Sequence, residues 1–398
     1  MKLGWWKAPA LRTDEDQHLE RKASWLQLFF DLVFVSVVAV MSHRLAHHPS
    51  WHGWGEFVLM FAPVWWVWVG MTIYNDRLEV DDVSNRMLHF GIMLPVVAMA
   101  FFAHDALGEK SEEFALAYAL ARTIIILAWL RGGHHNPEMR PLTTRYTIGY
   151  SASIALFVAS VWVPAPWKFV MWGVGLLIDH GTPAWTSGIQ SRMVSLSMSH
   201  LPERMGLFTI IVLGESVIGA ANGLAEQKDF TIQAGAVAAL GLSLAFSLWW
   251  IYFQQVGGHH QKCGKSGLAR VWWGIGWVYL HLPLLLGLIG AGAGVLQIVM
   301  HAHTVPPGPV RWLLCGSVAL VLLSVAAIGL TTDLQPWEVD RPILRWLFRL
   351  GGAAVSVCLV LLGEWIGPIL MLAFLLAITV SQIGVGAYLH YREEAPAS

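Results

Sequence analysis

The chain has 398 residues, 56% of them hydrophobic and only 13% charged, with 22 tryptophans and a net charge of −1. Soluble domains average about 25% charged residues, so a soluble fold is excluded, and a mean hydropathy of +0.56 points to a chain that crosses a membrane many times. The near-neutral charge removes the basic field that a nucleic-acid partner would need. Three cysteines without CxxC spacing support neither a disulfide framework nor a cysteine-based zinc site.

The N-terminal stretch "MKLGWWKAPALRTDEDQHLERK" lacks an apolar core followed by a small-residue cleavage site, so the first apolar span is expected to serve as the insertion signal. A bilayer-crossing helix needs about 20 predominantly apolar residues. Twelve candidates follow in order, at 24–45, 53–74, 85–104, 113–131, 145–164, 166–180, 206–224, 231–255, 269–297, 309–331, 343–363 and 365–390. The sixth is short and the ninth long. Between the sixth and seventh, Ser187, Ser191, Ser195 and Ser199 recur every four residues and suggest an interfacial helix with one polar stripe.

Positive charge fixes the expected orientation. The N-terminal tail and the even-numbered loops hold most of the lysines and arginines, whereas the opposite side holds only Arg44, Lys110, Lys168, Lys228 and Arg311. Both termini are therefore expected in the cytoplasm.

An internal repeat underlies the hydropathy. "HLERKASWLQLFFDLVF" opens the first span and "HLPERMGLFTIIVLGES" the seventh, each leading to an acid, Asp31 or Glu215. Leu-His recurs in the third and ninth spans at His89 and His281, and Arg-Pro precedes the fifth and eleventh at Arg140 and Arg341. Three landmarks in the same order predict an all-α polytopic membrane protein of about twelve transmembrane helices, built as two six-helix repeats of parallel orientation. The expected parts are a cytoplasmic tail (1–23), a first repeat (24–181), a cytoplasmic linker (182–205), a second repeat (206–391) and a cytoplasmic C-terminal tail (392–398).

Ionisable groups at membrane depth are costly and need a partner in the protein interior. Asp31 lies inside its span with Gln27 one turn earlier on the same face; Glu215 is flanked by Ser216 and by Gly214 and Gly219, which would admit a neighbouring backbone. Arg122 is the one cation well inside a span, so Asp31 or Glu215 is its expected partner. Asp31, His89, Arg122, Glu215 and His281 are the candidates for proton or cation coupling, with Gln27, Gly214, Ser216 and Gly219 in support. The acid that pairs with Arg122 should stay ionised and the other titrate; Asp31 is read as paired and Glu215 as titrating. The alternative is a fixed set of ion pairs and hydrogen bonds that only holds the helices in register.

His43 and His47 stand four residues apart, with His48, His52, His104, Asp105, His301 and His303 expected on the same side. Imidazoles with a carboxylate suit a divalent transition metal, but no spacing matches a known metal signature, so no cofactor is predicted, with a divalent metal at His43 and His47 as the lesser alternative. The pairs His134–His135 and His259–His260 read as solvated loop residues. No GxSxG, HExxH or Walker A sequence occurs.

The stretches "ERKASWLQLFFDLVFVSVVAVMSHRLAHH", "HLPERMGLFTIIVLGESVIG" and "YLHLPLLLGLIG" resemble the low temperature requirement A (LtrA) family of bacterial membrane proteins. The resemblance covers nearly the whole chain. It implies a multi-pass protein of the bacterial inner membrane, from a family named for a growth defect in the cold, and it carries no catalytic residues to transfer. The leading functional expectation is a secondary transporter or channel that couples to protons or cations through its intramembrane carboxylates, with substrate unassigned. The alternatives are a non-transporting cold-adaptation factor with structural ion pairs, and an intramembrane enzyme acting on lipid with Glu215 or His281 as acid and base.

Overall fold

A computed structural model describes residues 5–12, 22–194, 196–197, 199–227, 231–256, 267–332 and 342–394. The apolar stretches are helical because only a helix satisfies its own backbone groups in lipid. In chain order the helices are α1 (Trp25–His47), α2 (Trp51–Arg77), α3 (Val83–Phe102), α4 (Ser111–His135), α5 (Arg140–Ala159), α6 (Trp167–Trp185) and α7 (Ser187–Gln190). They continue with α8 (His200–Ala225), α9 (Ile232–Val256), α10 (Gly267–Met300), α11 (Gly308–Arg311), α12 (Ser317–Thr331), α13 (Pro342–Leu362) and α14 (Pro368–Glu394). Among the described residues ten helices are long and apolar enough to cross a membrane. Helices α5 and α6 coincide with the fifth and sixth expected spans but fall outside that group. The described part of the serine-striped stretch forms the four-residue α7 followed by turns, and Ser195 lies outside the described residues.

The polarity of the helices is that of a protein in lipid. Phe29 and Leu32 of α1 are exposed, while Gln27 and Asp31 on the same helix are buried. Phe90, Leu94 and Phe101 of α3 face outward and His89 inward. Exposed tryptophans gather at helix ends and loops, among them Trp25, Trp51, Trp162, Trp167, Trp185 and Trp365, where indole rings favour the boundary between lipid and water.

The chain forms two compact units. The first comprises residues 1–41, 56–204 and 263–275; the second comprises residues 42–55, 205–262 and 276–398. Within the first, α4 packs against α3 and α5, and α5 against α6; within the second, α9 packs against α14 and α12, and α13 against α12 and α14.

In the first unit the N-terminal segment is strapped across helix ends. Strand β1 (Ala10–Leu11) pairs antiparallel with β2 (Leu78–Glu79). Asp82 caps α3 by accepting the Asn85 amide at 2.7 Å. It also accepts the Lys7 amide at 2.7 Å and the Arg131 guanidinium at 2.7 Å. Burial opposes its ionisation, but these amides, the Ser84 hydroxyl and Arg131 outweigh it and hold the carboxyl below the usual carboxylate range. His134 and His135, expected as loop residues, instead end α4, where His135 meets the Trp6 ring edge-on at 4.8 Å. His259 and His260 lie outside the described residues.

Candidate functional site: buried ion pairs and a lone carboxyl

Asp31 and Arg122, expected as possible partners, each have a different one. Arg204, near the start of α8, donates to Asp31 through both terminal nitrogens, at 2.5 and 2.6 Å. Trp68 of α2 donates its indole N–H to the same carboxylate at 2.7 Å, and the Arg204 guanidinium lies 5.6 Å from the Trp68 ring centre. Asp31 and Arg204 are both 1% exposed. Two parallel bonds and an indole donor fill the carboxylate's lone pairs, the arrangement that offsets desolvation of a buried pair.

Gln27, one turn before Asp31, continues the polar line. Its Oε1 accepts the Ser24 amide at 2.9 Å and faces His200 Nε2 at 3.2 Å. His200 Nδ1 lies 3.1 Å from Asp76 Oδ1, and the Ser197 amide donates to Asp76 Oδ2 at 2.8 Å. The segment before α8 is thereby tied to α1 and α2 inside the first unit.

Arg122 of α4 is fully enclosed and pairs with Asp179 of α6. Tyr118, one turn earlier on α4, donates its hydroxyl to the other oxygen of that carboxylate, and the Arg122 guanidinium sits 4.1 Å from the centre of the Tyr150 ring. A Cβ built at Gly70 of α2 would lie 2.7 Å from Arg122 Nη1, so the absence of a side chain there makes room for the cation. The expectation that Asp31 or Glu215 neutralises Arg122 is corrected. Asp179 does so, an acid in "LLIDHGTP" at the end of the sixth expected span, which the structure places inside α6.

The two histidines share one pattern. His89 Nδ1 lies 2.8 Å from the carbonyl of Asn85, four residues earlier, and its Nε2 lies 3.0 Å from Asn75 Nδ2 on the preceding helix. His281 Nδ1 lies 2.8 Å from the carbonyl of Trp277, again four residues earlier, and its Nε2 lies 3.2 Å from the Tyr252 hydroxyl on the preceding helix. Each ring is satisfied as the neutral Nδ1–H form, donating to its own helix and accepting from its neighbour.

Glu215 differs from these groups. It is 5% exposed, belongs to the second unit, and makes no ion pair among the described residues. Its buried Oε1 has no hydrogen-bond partner there. Around it α8 runs close against α10: a Cβ at Gly219 would meet the Gly292 carbonyl at 3.3 Å, and one at Gly292 would meet Ser216 Oγ at 2.8 Å. Gly219 thus permits the expected backbone approach, whereas the space beside Gly214 is open.

His43 and His47 stack with ring centres 4.2 Å apart, and His47 Nδ1 turns back to the carbonyl of His43. Among the described residues no three histidine, cysteine, aspartate or glutamate side chains gather as a metal site would require.

Residues 22–385 match the sequence profile of the bacterial low temperature requirement A protein, LtrA. The chain belongs to the LtrA family. An uncharacterised protein of Rhizobium meliloti (strain 1021), RA0937, is similar to it, with 27% identity over 297 residues that cover 71% of each chain. The matched residues include both acids, Asp31 and Glu215, which the structure places in opposite circumstances. Sequence reasoning missed Arg204 because it stands beside a loop and counted as an orienting charge. It missed Asp76 and His200 because each closes a helix end.

Proposed function

We propose that this LtrA-family membrane protein is a secondary transporter or channel in which Glu215 takes up and releases the coupling proton or cation. The observation that carries the reading is the contrast among buried acids. Asp31 and Asp179 are each gripped by an arginine, while among the described residues the buried Glu215 carboxyl has no cation and one oxygen without a partner. An unpaired anion at such depth costs several kcal/mol. A lone carboxyl there is material for binding a proton or a cation, and it contributes little to holding helices together. The close α8–α10 packing at Gly219 and Gly292 gives the carboxyl a rigid frame.

In this reading Asp31–Arg204 and Arg122–Asp179 brace the first unit, and His89 and His281 are fixed hydrogen-bonding posts. The matching environments of the two histidines support two six-helix repeats of parallel orientation, and the distribution of lysines and arginines supports both termini on the cytoplasmic side of the inner membrane. A second reading, a non-transporting membrane factor, is favoured by the same buried ion pairs and fails only at Glu215. The test is proton flux in proteoliposomes enclosing a pH-sensitive dye. The wild type should dissipate an imposed gradient, and Glu215→Gln should fold but leave it standing. Equal dissipation by the two proteins defeats the proposal.

A further inference from the structure

Where α5 begins and α6 ends, the first unit carries a hollow that the transport reading does not use. A cavity of about 640 Å³ is walled by Arg145 of α5, Trp185 of α6, Ile189 of α7, and Arg192 and Met193 beyond it. A shallower recess of about 480 Å³ shares Arg145 and Trp185 with it and adds Arg140 and Ile148. Among the described residues Glu138 is the one carboxylate on these walls, against the three arginines Arg140, Arg145 and Arg192.

The arginines are available to a ligand. Arg145 and Arg192 are exposed and enter no ion pair among the described residues. The Arg145 guanidinium lies 5.4 Å from the centre of the Trp185 ring, a stacked placement that orients a fork of N–H donors without consuming them. Arg140 is partly engaged, donating to the Gly133 carbonyl at 3.2 Å through Nε and to the His134 carbonyl at 3.5 Å through Nη2. Trp185 and Ile148, 52% and 56% exposed, put an apolar wall beside this charge.

We propose that this hollow binds the phosphate-bearing headgroup of an anionic phospholipid. Arg145 and Arg192 hold the phosphate, and Trp185 and Ile148 lie along the first part of an acyl chain. Basic recesses at the membrane ends of helices recognise such headgroups, and guanidinium forks match phosphate oxygens in pairs. A free phosphate would have no use for the apolar wall, which is why a lipid is the better occupant. The bound lipid would also brace the stretch that follows α7. There Gln190 and the Val194 carbonyl each accept from Arg77 at 3.1 Å, and the Ser197 amide holds Asp76.

Native mass spectrometry of the detergent-solubilised full chain tests the proposal, with phosphatidylglycerol and phosphatidylcholine of matched acyl chains as probes. The wild type should retain phosphatidylglycerol preferentially. Arg192→Gln and Arg145→Gln should each weaken that retention roughly fivefold and weaken phosphatidylcholine less, because its choline cation already offsets its phosphate. Trp185→Ala should weaken both lipids together. Arg192 is exposed and unpaired, so Arg192→Gln alone decides the matter if the Arg145 variant melts early. Equal retention of the two lipids by the wild type, or undiminished phosphatidylglycerol on Arg192→Gln, overturns the proposal. Displacement of phosphatidylglycerol by excess inorganic phosphate would show a free-anion site and overturns the lipid assignment.

Discussion

Arg204 holds Asp31 across 173 residues of sequence, with both guanidinium nitrogens on both carboxylate oxygens at 2.5 and 2.6 Å. Removing one partner strands a buried charge, which typically costs about 3–5 kcal/mol. Asp31→Asn should therefore lower unfolding stability in detergent by that amount, read from denaturation curves. The double change Asp31→Leu with Arg204→Met removes both charges and should recover most of the loss. A double variant as unstable as Asp31→Asn would mean that the ion pair is not the reason for the acid.

The second pair has a hydroxyl to separate from its charge. Tyr118→Phe takes one donor from the Asp179 carboxylate and leaves Arg122 in place. Its cost should be about 1.5–3 kcal/mol, the usual worth of a hydrogen bond to a charged group. Asp179→Asn should cost more, because Arg122 is fully enclosed and Tyr150 offers it only a ring face. Equal melting temperatures for Tyr118→Phe and the wild type would contradict this placement of the hydroxyl.

Asp82 sets a pH dependence outside the membrane spans. Its carboxyl is held below the ordinary range in the folded protein, so the unfolded chain takes up its proton first as pH falls. The stability it contributes should be fully present above the ordinary aspartate value of about 4 and be lost as pH drops through the depressed folded value. Melting temperature followed against pH should show this acid-side fall, flattened in Asp82→Asn. Parallel curves for the two proteins would show that the N-terminal strap does not depend on this carboxylate.

How much of this was legible depends on how local each signal is. Apolar runs announce their helices because each run satisfies its own backbone, and α1, α4 and α9 lie within a few residues of the stretches that predict them. Asp31, His89, Arg122, Glu215 and His281 were visible as polar residues where lipid tolerates few. Their partners were not. Arg204 and Asp179 reach their mates from 173 and 57 residues away, and nothing in hydropathy distinguishes a cation that snorkels out of the membrane from one that turns inward. The serine stripe between α6 and α8 had helical spacing, but its described part closes into turns after α7, where Arg77 holds Gln190 and the Val194 carbonyl.

The central claim is that one buried carboxyl, Glu215, exchanges a proton while the arginine-bound acids do not. Infrared difference spectroscopy on the purified protein, stepped between acid and alkaline buffer, reads the carbonyl stretch of a desolvated carboxylic acid directly. The account predicts such a band in the wild type, its loss in Glu215→Gln and its persistence in Tyr118→Phe, which leaves every carboxylate in place. A band that survives Glu215→Gln, or a wild type with no band of this kind, would contradict it.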